Sequence, residues 1–474
     1  MPDGGWPSAA EADASRLFSP LLLKSGLSLS ARTWVPAMVP WRASLDGEVN
    51  ADVLDWYERF AQGEPGVLVV EATGVRDTAS GPLLRIHEDR FIPGLTRLVN
   101  RVREASGGRT KLFIQIIDFL GVKRRPERAV WYRRFLRPAS RHRAALERLG
   151  KVAPTNDDEL REALLQLDES LETEVLSQRE LEDLRFGARE RITDEDRPAI
   201  SALPQILPTA FASAAARAKA AGFDGVELHY AHAYTMASFL SRTNTRKDGY
   251  GSSLTGRLRL PLEVLEAVRA KVGHDFSVGA RILGDEAIEG GSTMEEVHAI
   301  ALALGRAGLD FLSVSRGGKF DDARQPRVGE AVYPYTGPSG LACMPVMRMD
   351  GGPFGRNVPF AASIRQHLRQ QGVNMPIVTA GGLCSFAQME EILNQGHADC
   401  VAAARQSLAD PDWWKKMRLG RGASIRRCSF TSYCEGLDQR HKQVTCRLWD
   451  RVLGGDEVTR SPDGRRLIAP PFEA

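Results

Sequence analysis

The 474-residue sequence lacks any run of about 18 apolar residues, so it predicts no membrane-spanning helix. Its first segment, MPDGGWPSAAEADASRLFSP, is polar and acidic and lacks the basic start and apolar core of a secretory signal. The formal net charge is only +3, which gives no reason to expect a nucleic acid or another polyanion as partner. These absences together favour a cytoplasmic protein.

Cysteine is scarce and is confined to the last third of the chain. The six cysteines are Cys343, Cys384, Cys400, Cys428, Cys434 and Cys446. A disulfide scaffold would spread many cysteines through a short secreted chain, so this placement argues against one and fits a reduced cytoplasm.

Eight short apolar runs recur along the chain, and a stretch of helical periodicity follows each of them. The runs are RTWVPAM (32–38), GVLVVEA (66–72), KLFIQII (111–117), GFDGVELH (222–229), FSVGARI (276–282), DFLSVSRG (310–317), PIVTAGG (376–382) and DCVAAAR (399–405). They are apolar throughout, as strands buried on both faces must be. Eight such units predict an α/β fold, a (β/α)8 TIM barrel whose active site lies at the C-terminal ends of its strands. An open doubly wound sheet is the alternative, but no GxGxxG follows the first run.

Residues 123–195 form a segment far longer than an ordinary loop after the third strand. Its first half is basic, with Lys123, Arg124, Arg125, Arg133 and Arg134, and its second half is acidic with helical leucine spacing. One interpretation is a pair of helices that neutralise each other as a surface subdomain. The other is a basic cover over the active site for an anionic substrate tail, such as the phosphates of coenzyme A.

The ends of the seventh and eighth runs predict a phosphate site. The seventh run ends in Gly381 and Gly382, and the eighth in Ala404 and Arg405. The loops after strands 7 and 8 of such barrels commonly bind phosphate through backbone N–H groups, and an arginine adds a bidentate fork. Glycines in a tight packing turn are the alternative, but the two motifs together favour a phosphorylated cofactor.

Two polar side chains stand inside apolar runs. Arg281 ends the fifth run, where a buried guanidinium needs either a ligand or an ion pair, for example with Glu227. Gln115 stands in the third run, and its amide can both donate and accept, which suits the uracil-like edge of a flavin.

The stretch GVELHYAHAY places His229 and His232 three residues apart, with Tyr234 following. A zinc site would need a third ligand at a useful spacing, and the sequence offers none nearby. Core packing explains one histidine more easily than two followed by a tyrosine. Recognition of a substrate anion is the favoured interpretation.

At this point the residues resemble a known family. GFDGVELHYAHAYTMASFLSRTNTRKDGYGSSLTGRLRLPLEVLEAVR (222–269) is similar, nearly position by position, to the HxAHxYLxxxFLSxxxNxRxDxYGGSxxxRxRxxxEVxxAVR segment of the Old Yellow Enzyme family of FMN-dependent NAD(P)H:flavin oxidoreductases. The similarity extends through LFSPLLLKSGLSLSARTWVPAM, EATGV (71–75), GGPFGRN (351–357) and VTAGG…VAAARQSLADPDWW (378–414). It implies an FMN-binding barrel over residues 17–425 that takes electrons from NADH or NADPH.

The resemblance also implies residue roles. The residues implied to contact FMN are Ala37, Met38, Ala72, Gln115, Arg281, Gly381, Gly382, Ala404 and Arg405, the last four at its phosphate. His229 and His232 would donate hydrogen bonds to the substrate's electron-withdrawing group, and Tyr234 would protonate its carbon. Trp41 and Asp118 are also implied at the substrate. The sequence departs from the family at Val39, where a flavin-bonding Thr or Cys is usual, and at Asp118, which replaces a histidine.

The tail, residues 426–474, resembles an iron–sulfur segment of larger relatives. Cys428, Cys434 and Cys446 match three of its four cysteines, and Thr431 stands near the place of the other. Three thiolates need a substitute ligand such as His441 to hold a cluster. A 4Fe–4S cluster is therefore not expected, and free or structural thiols are favoured. No pyridine-nucleotide domain follows, so electrons are expected from diffusible NAD(P)H or a separate reductase.

The expected activity is reduction of an α,β-unsaturated carbonyl compound, with an enoyl-CoA thioester as one option. Amine or N-methyl oxidation on the same scaffold, and a non-catalytic flavin-binding scaffold, are the alternatives. The complete set of His229, His232 and Tyr234 favours the reductase, since a scaffold needs no acid beside two donors. The sequence leaves open the natural substrate, the choice of NADH or NADPH, and whether the protein is a homo-oligomer.

Overall fold

The computed structural model describes residues 1–78, 81–122, 124–317, 328, 352–438, 440–452 and 458–472. Lys123, Cys343 and Gly351, which the sequence analysis names, lie outside the described residues. The chain divides into two compact units. The smaller includes Leu120–Arg191 and Val328, and the larger includes Met1–Phe119, Ile192–Gly317 and the described residues after 351. No helix in the described ranges has the length and apolarity needed to cross a membrane.

The larger unit is a closed barrel of eight parallel strands, in which each strand pairs with its neighbours in sequence and the last pairs with the first. The strands are β1 (Thr33–Val35), β2 (Val67–Gly74), β3 (Lys111–Ile117), β4 (Gly225–Tyr230), β5 (Ser277–Asp285), β6 (Phe311–Arg316), β7 (Ile377–Ala380) and β8 (Cys400–Ala402). Each strand lies within or overlaps one of the eight apolar runs. The predicted (β/α)8 barrel is confirmed.

Amphipathic helices separate the strands. The main ones are Ala51–Ala61, Ile92–Ala105, Leu203–Ala221, Leu254–Val272, Met294–Arg306, Val358–Gln370, Phe386–Asn394, Arg405–Ala409 and Trp413–Arg418. Local signals fix their ends. Thr293 and Glu296 form a capping box at one N-terminus. Gly222 ends the helix before β4 with a φ of 92°, a conformation that glycine adopts without steric cost.

Shorter elements complete the larger unit. They are the helices Ala9–Ala14, Asp89–Phe91, Pro198–Ser201, Thr235–Leu240, Gly422–Ser424 and Tyr433–Asp438, and an antiparallel pair, Leu21–Leu22 with Ser28–Leu29. Leu29 from this pair joins the hydrophobic cluster inside the barrel.

An aromatic cluster fills the lower part of the barrel. Phe113 and Phe311 stack with ring centroids 5.3 Å apart, and Trp34 packs against both. Gly279 has no room for a side chain, since a Cβ there would lie 2.2 Å from the Phe311 ring. Because residues i and i+2 of a strand share a face, Gln115 and Ser313 point inward one layer closer to the C-terminal ends. The aromatic cluster therefore leaves the polar residues of the strands nearer the C-terminal end of the barrel.

The smaller unit has its own hydrophobic cluster, which includes Trp131, Tyr132 and Leu164. Its helices are Arg128–Val130, Trp131–Phe135, Ser140–Arg148, Asp157–Leu165, Glu169–Leu171, Glu172–Val175 and Gln178–Phe186. These are several short helices, whereas the sequence interpretation was a pair. The segments around Pro138 and Pro154 are non-helical, because proline cannot continue a helix at those points.

Ion pairs join the basic and acidic halves of the smaller unit. Arg133 pairs with Glu162 at 2.5 Å, and Arg143 pairs with Asp157 at 2.6 Å. Arg128 pairs with Glu172 at 2.7 Å. These contacts are the ones expected if the two halves neutralise each other.

The tail packs onto the barrel through buried side chains. Arg42 Nη2 donates to the carbonyl oxygens of Val444 at 3.1 Å and Leu467 at 2.7 Å. Trp449 Nε1 donates to the carbonyl oxygen of Leu408 at 2.9 Å. The residues after 425 therefore belong to the larger unit.

Candidate active site

The predicted site residues on β3–β5 lie at the same end of the barrel, because the strands are paired in register. Gln115 stands opposite Glu227, and His229 opposite Arg281. Gln115 and His229 lie in the C-terminal halves of their strands and Arg281 at the middle of β5, toward the end where barrel active sites form. Residues more than 150 positions apart in the sequence thereby lie on one surface.

Glu227 forms a buried polar layer with Gln115 and Arg281. Gln115 Nε2 donates to Glu227 Oε1 at 2.6 Å. Burial raises the pKa of Glu227, and the charge of Arg281 opposes that rise. Burial lowers the pKa of Arg281, with Glu227 opposing in turn. Glu227 thus acts on Arg281 electrostatically, while the guanidinium donates to Ser313 and Ser315 on β6 at 3.5 and 3.4 Å.

The two histidines lie together, as the sequence analysis predicts. His232 Nδ1 and His229 Nε2 are 3.4 Å apart, and His232 Nε2 is 2.7 Å from Ser315 Oγ. Burial and the nearby charge of Arg281 lower the pKa of His232 to about 3. Burial, then His232 and Arg281, lower the pKa of His229 well below its ordinary value. Both rings are therefore neutral near pH 7, and each carries one N–H and one lone pair.

The turn that carries His232 has a strained backbone. His232 and Ala233 have φ values of 60° and 57°, in the left-handed region that non-glycine residues rarely adopt. Each such residue costs on the order of 1–3 kcal/mol and persists where the surrounding structure determines it, often at functional sites.

Tyr234 lies beside His229 at the start of the helix Thr235–Leu240. Its ring centroid is 5.4 Å from that of His229 and 5.4 Å from that of Phe119. The structure therefore brings together all three residues predicted as catalytic. Their roles stay predictions.

The predicted phosphate site is closely packed around its two glycines. A Cβ at Gly381 would lie 2.9 Å from Arg356 Cγ, and a Cβ at Gly382 would lie 1.9 Å from the Pro353 carbonyl oxygen. Their φ values are 103° and 70°. Ala404 directly precedes the helix that Arg405 begins. The Arg405 guanidinium lies 4.8 Å from the Phe430 ring centroid, and its Nη1 is buried without a hydrogen-bond partner among the described residues.

Arg356 was missed by the sequence analysis, although it lies in the quoted motif GGPFGRN. Burial and the charge of Arg405 lower the pKa of Arg356 to about 10, and the charge of Glu435 opposes this. Its Nε is also buried and unpartnered within the described ranges. Two adjacent guanidinium groups with unmet donors, beside two glycines that admit no side chain, fit a phosphate dianion.

The other residues predicted at the flavin lie on the same strand ends. Ala37 and Met38 follow β1 and are half-buried, as is Val39, while Ala72 is buried in β2. This placement is compatible with a planar ring across the barrel mouth, and these contacts stay predictions.

Trp41 and Asp118, predicted at the substrate, are held by other residues. The Asp118 carboxylate forms a bidentate ion pair with Arg76. Trp41 Nε1 donates to Asp438 at 2.6 Å, and its ring stacks on His441 with centroids 4.2 Å apart. Neither contact was foreseen from the sequence.

The three tail cysteines are free thiols, buried at Cys428 and half-buried at Cys434 and Cys446. Burial raises the pKa of Cys434 to about 12 and that of Cys446 to about 11. Burial also raises the pKa of Cys428. In the parts of the chain that the structure describes, no three His, Cys, Asp or Glu residues are arranged to hold a metal ion. The expectation that these cysteines hold no 4Fe–4S cluster stays a prediction.

Fold and site define a parallel (β/α)8 barrel with two closely packed glycines and two adjacent arginines after β7 and β8, and with buried polar residues at the C-terminal ends of its strands. The model of the NADH:flavin oxidoreductase / NADH oxidase family matches residues 203–339 and 351–423. The NADH oxidase of Thermoanaerobacter brockii is 30% identical over 407 residues, covering 85% of this chain and 50% of that protein. The N,N-dimethylglycine/sarcosine dehydrogenase of Chromohalobacter salexigens is 33% identical over 238 residues, covering 50% of this chain and 31% of that protein.

Solved structures share the fold. A 2-naphthoyl-CoA reductase superposes with a TM-score of 0.65 and 19% identity over 91% of this chain and 56% of that chain. An Old Yellow Enzyme homologue from Zymomonas mobilis superposes with a TM-score of 0.53 and 20% identity over 86% and 92%. At these identities the likeness shows the fold alone.

The family model and these relatives support the NADH:flavin oxidoreductase / NADH oxidase family for this chain, in agreement with the resemblance to the Old Yellow Enzymes. It spans about half the length, or less, of the two curated relatives named above.

Proposed function

We propose that the protein binds FMN and reduces an alkene conjugated to an electron-withdrawing carbonyl group, with NADH or NADPH as electron source. Gly381, Gly382, Arg405 and Arg356 hold the phosphate, and Gln115 and Arg281 hold the polar ring edge. When bound, FMN accepts hydride from the nicotinamide and delivers it to a substrate carbon. The donors of the two arginines that have no partner among the described residues support this assignment of the cofactor.

The observation that carries the proposal is the buried, neutral pair of His229 and His232 beside Tyr234. Reduction of a conjugated carbonyl places negative charge on its oxygen. A preorganised imidazole N–H stabilises that charge as an oxyanion hole does, and it acts strongly because the ring is buried. Tyr234 then supplies the proton to the α-carbon, a role for which its position next to His229 suits it.

A second candidate is oxidation of an N-methyl amine, which the name of the Chromohalobacter relative suggests for that protein. The charges near the histidines favour the first candidate. Arg281 and Arg356 both act on the pKa of His232. A substrate ammonium would be repelled by these cations, whereas an oxygen that gains negative charge would be stabilised.

Anaerobic stopped-flow spectroscopy of the purified holoprotein separates the candidates. NADH or NADPH should bleach the flavin absorption, and a cyclic enone should restore it at a rate that saturates with enone concentration. N,N-dimethylglycine, added to oxidised protein, should leave the spectrum unchanged. Bleaching by the amine, with no reoxidation by any enone, would reverse the assignment.

A further inference from the structure

We propose that Ser315 is a positioning residue that, through His232, fixes the tautomers of both histidines so that His229 Nδ1–H is the N–H donor presented to the substrate. This inference rests on the proposed function in one respect only, the identity of the substrate group that accepts the hydrogen bond from His229 Nδ1–H. It differs from the expectation that both histidines donate to the substrate.

Hydrogen bonds connect Arg281, Ser315, His232 and His229 in that order. The direction of this hydrogen-bond chain is set at Arg281, because a guanidinium can only donate hydrogen bonds. Its Nη2 donates to Ser315 Oγ at 3.4 Å, which uses a lone pair of that oxygen. The hydroxyl hydrogen of Ser315 and its second lone pair then remain, so Ser315 can donate to a further acceptor, and the charge of Arg281 decides in favour of that direction. His232 Nε2 lies 2.7 Å from the same oxygen and is the closest ring nitrogen to it.

The second step sets the tautomer of His232. The ring is neutral, so a nitrogen that accepts from Ser315 leaves the proton on Nδ1. The positive charge of Arg281 favours the same arrangement, because it places the lone pair of Nε2 toward the cation and the N–H away from it. His232 therefore donates from Nδ1.

The third step sets His229. His232 Nδ1 is 3.4 Å from His229 Nε2, so this nitrogen of His229 accepts and its proton resides on Nδ1. His229 Nδ1 is buried and has no hydrogen-bond partner among the residues described. A buried N–H without a partner is unfavourable, and an acceptor oxygen of a ligand would satisfy it. The opposite direction would turn a lone pair of His229 toward the substrate and would repel a carbonyl oxygen.

The hydrogen-bond chain therefore selects substrates by the chemistry of the one atom that meets His229 Nδ1. The group that meets His229 must accept a hydrogen bond, as a carbonyl or nitro oxygen does. A substrate N–H or O–H group at that place would be favoured only if the hydrogen bonds ran in the opposite direction, with a lone pair on His229 Nδ1.

Nuclear magnetic resonance of histidine-15N-labelled holoprotein tests the tautomers without turnover. Protonated and bare nitrogens of a neutral imidazole give well-separated signals, and the variants His229→Asn and His232→Gln assign them. Both rings should carry the proton on Nδ1. Ser315→Ala should give mixed tautomers at His232 and His229, and Ser315→Thr, which keeps the hydroxyl, should restore them. Ser313→Ala is the matched control, since it removes a serine that also bonds Arg281 but does not touch the histidines, and it should leave both tautomers as in the parent protein.

Two substitutions at His229 test the same point in enone reduction. The amide nitrogen of asparagine reaches the position of Nδ1, and that of glutamine reaches the position of Nε2. His229→Asn should therefore retain kcat/KM for the enone within about tenfold, while His229→Gln should lose about tenfold more. A proton on His232 Nε2 in the parent protein, or tautomers unchanged in Ser315→Ala, would overturn the inference. If the parent protein reduces no enone, the proposed function fails, while the tautomer measurement still decides the role of Ser315.

Discussion

If Arg405 and Arg356 bind the FMN phosphate, as proposed, removing either guanidinium should weaken FMN binding. Arg405→Ala removes a guanidinium whose buried Nη1 has no partner in the described chain. A charge-assisted hydrogen bond contributes about 1.5–3 kcal/mol, so the dissociation constant for FMN should rise about 10- to 150-fold. Arg405→Lys keeps the charge but loses the fork, and it should fall between the parent and the alanine variant.

The stability of the apoprotein should respond differently. Arg405 and Arg356 repel each other, and this repulsion contributes to the lowered pKa of Arg356. Removing Arg405 relieves it but also removes the cation–π contact with Phe430, worth about 0.5–1 kcal/mol. The free energy of unfolding of the apoprotein should therefore change by less than about 1 kcal/mol, although the cofactor affinity falls.

Riboflavin, which lacks the phosphate, provides the assay's internal control. Quenching of flavin fluorescence by apoprotein gives both affinities. Arg405→Ala should weaken FMN and leave riboflavin nearly unchanged, and Arg356→Ala should do the same if both arginines face the phosphate. Equal losses for FMN and riboflavin, or an unchanged FMN affinity, would refute the phosphate assignment.

Three further predictions follow from single side chains. Tyr234→Phe should slow reoxidation of the reduced protein by an enone by about 10²-fold or more and leave reduction by NAD(P)H nearly intact, since only the second half-reaction needs the proton; equal losses in both would indicate a structural role. Burial raises the pKa of Glu71 to about 8, so the native state holds a proton that the unfolded chain loses near pH 4.5. The stability it contributes should therefore fall as pH rises from about 5 through 8, by on the order of a few kcal/mol, and urea unfolding of Glu71→Gln should show a flatter pH profile. Arg42→Ala removes two buried hydrogen bonds to tail carbonyls, so proteolysis within residues 440–472 should become faster while the barrel core stays resistant, and unchanged cleavage would show that other contacts hold the tail.

The barrel could be predicted because each strand leaves a strong local signal. A strand buried on both faces is mainly apolar, as β3 is apart from Lys111 and Gln115, so eight runs could be recognised one by one. The ends of these runs then had to lie at one end of the barrel. That rule alone placed His229, Arg281 and Arg405 on a common face.

In the smaller unit, the spacing of leucines in the sequence was not enough to predict the number of helices. Its leucines predicted helices correctly, but not how many. Breaks depend on local features such as Pro138, Pro154 and the capping residue Asn156, and a charge pattern spanning both halves gave no sign of them.

The side chains that complete the site are identified by contacts between residues far apart in the sequence, which no local sequence pattern indicates. Ser315 is 83 residues from His232, and they meet because β4, β5 and β6 are adjacent in the barrel. A serine inside an apolar run is ordinary by itself, and it gains a role only when Arg281 is known to donate to it. The same holds for Arg356, whose charge matters because Arg405 is its neighbour. In this protein the sequence therefore identifies groups that carry chemistry, whereas strand register decides which of their hydrogen bonds remain for a ligand.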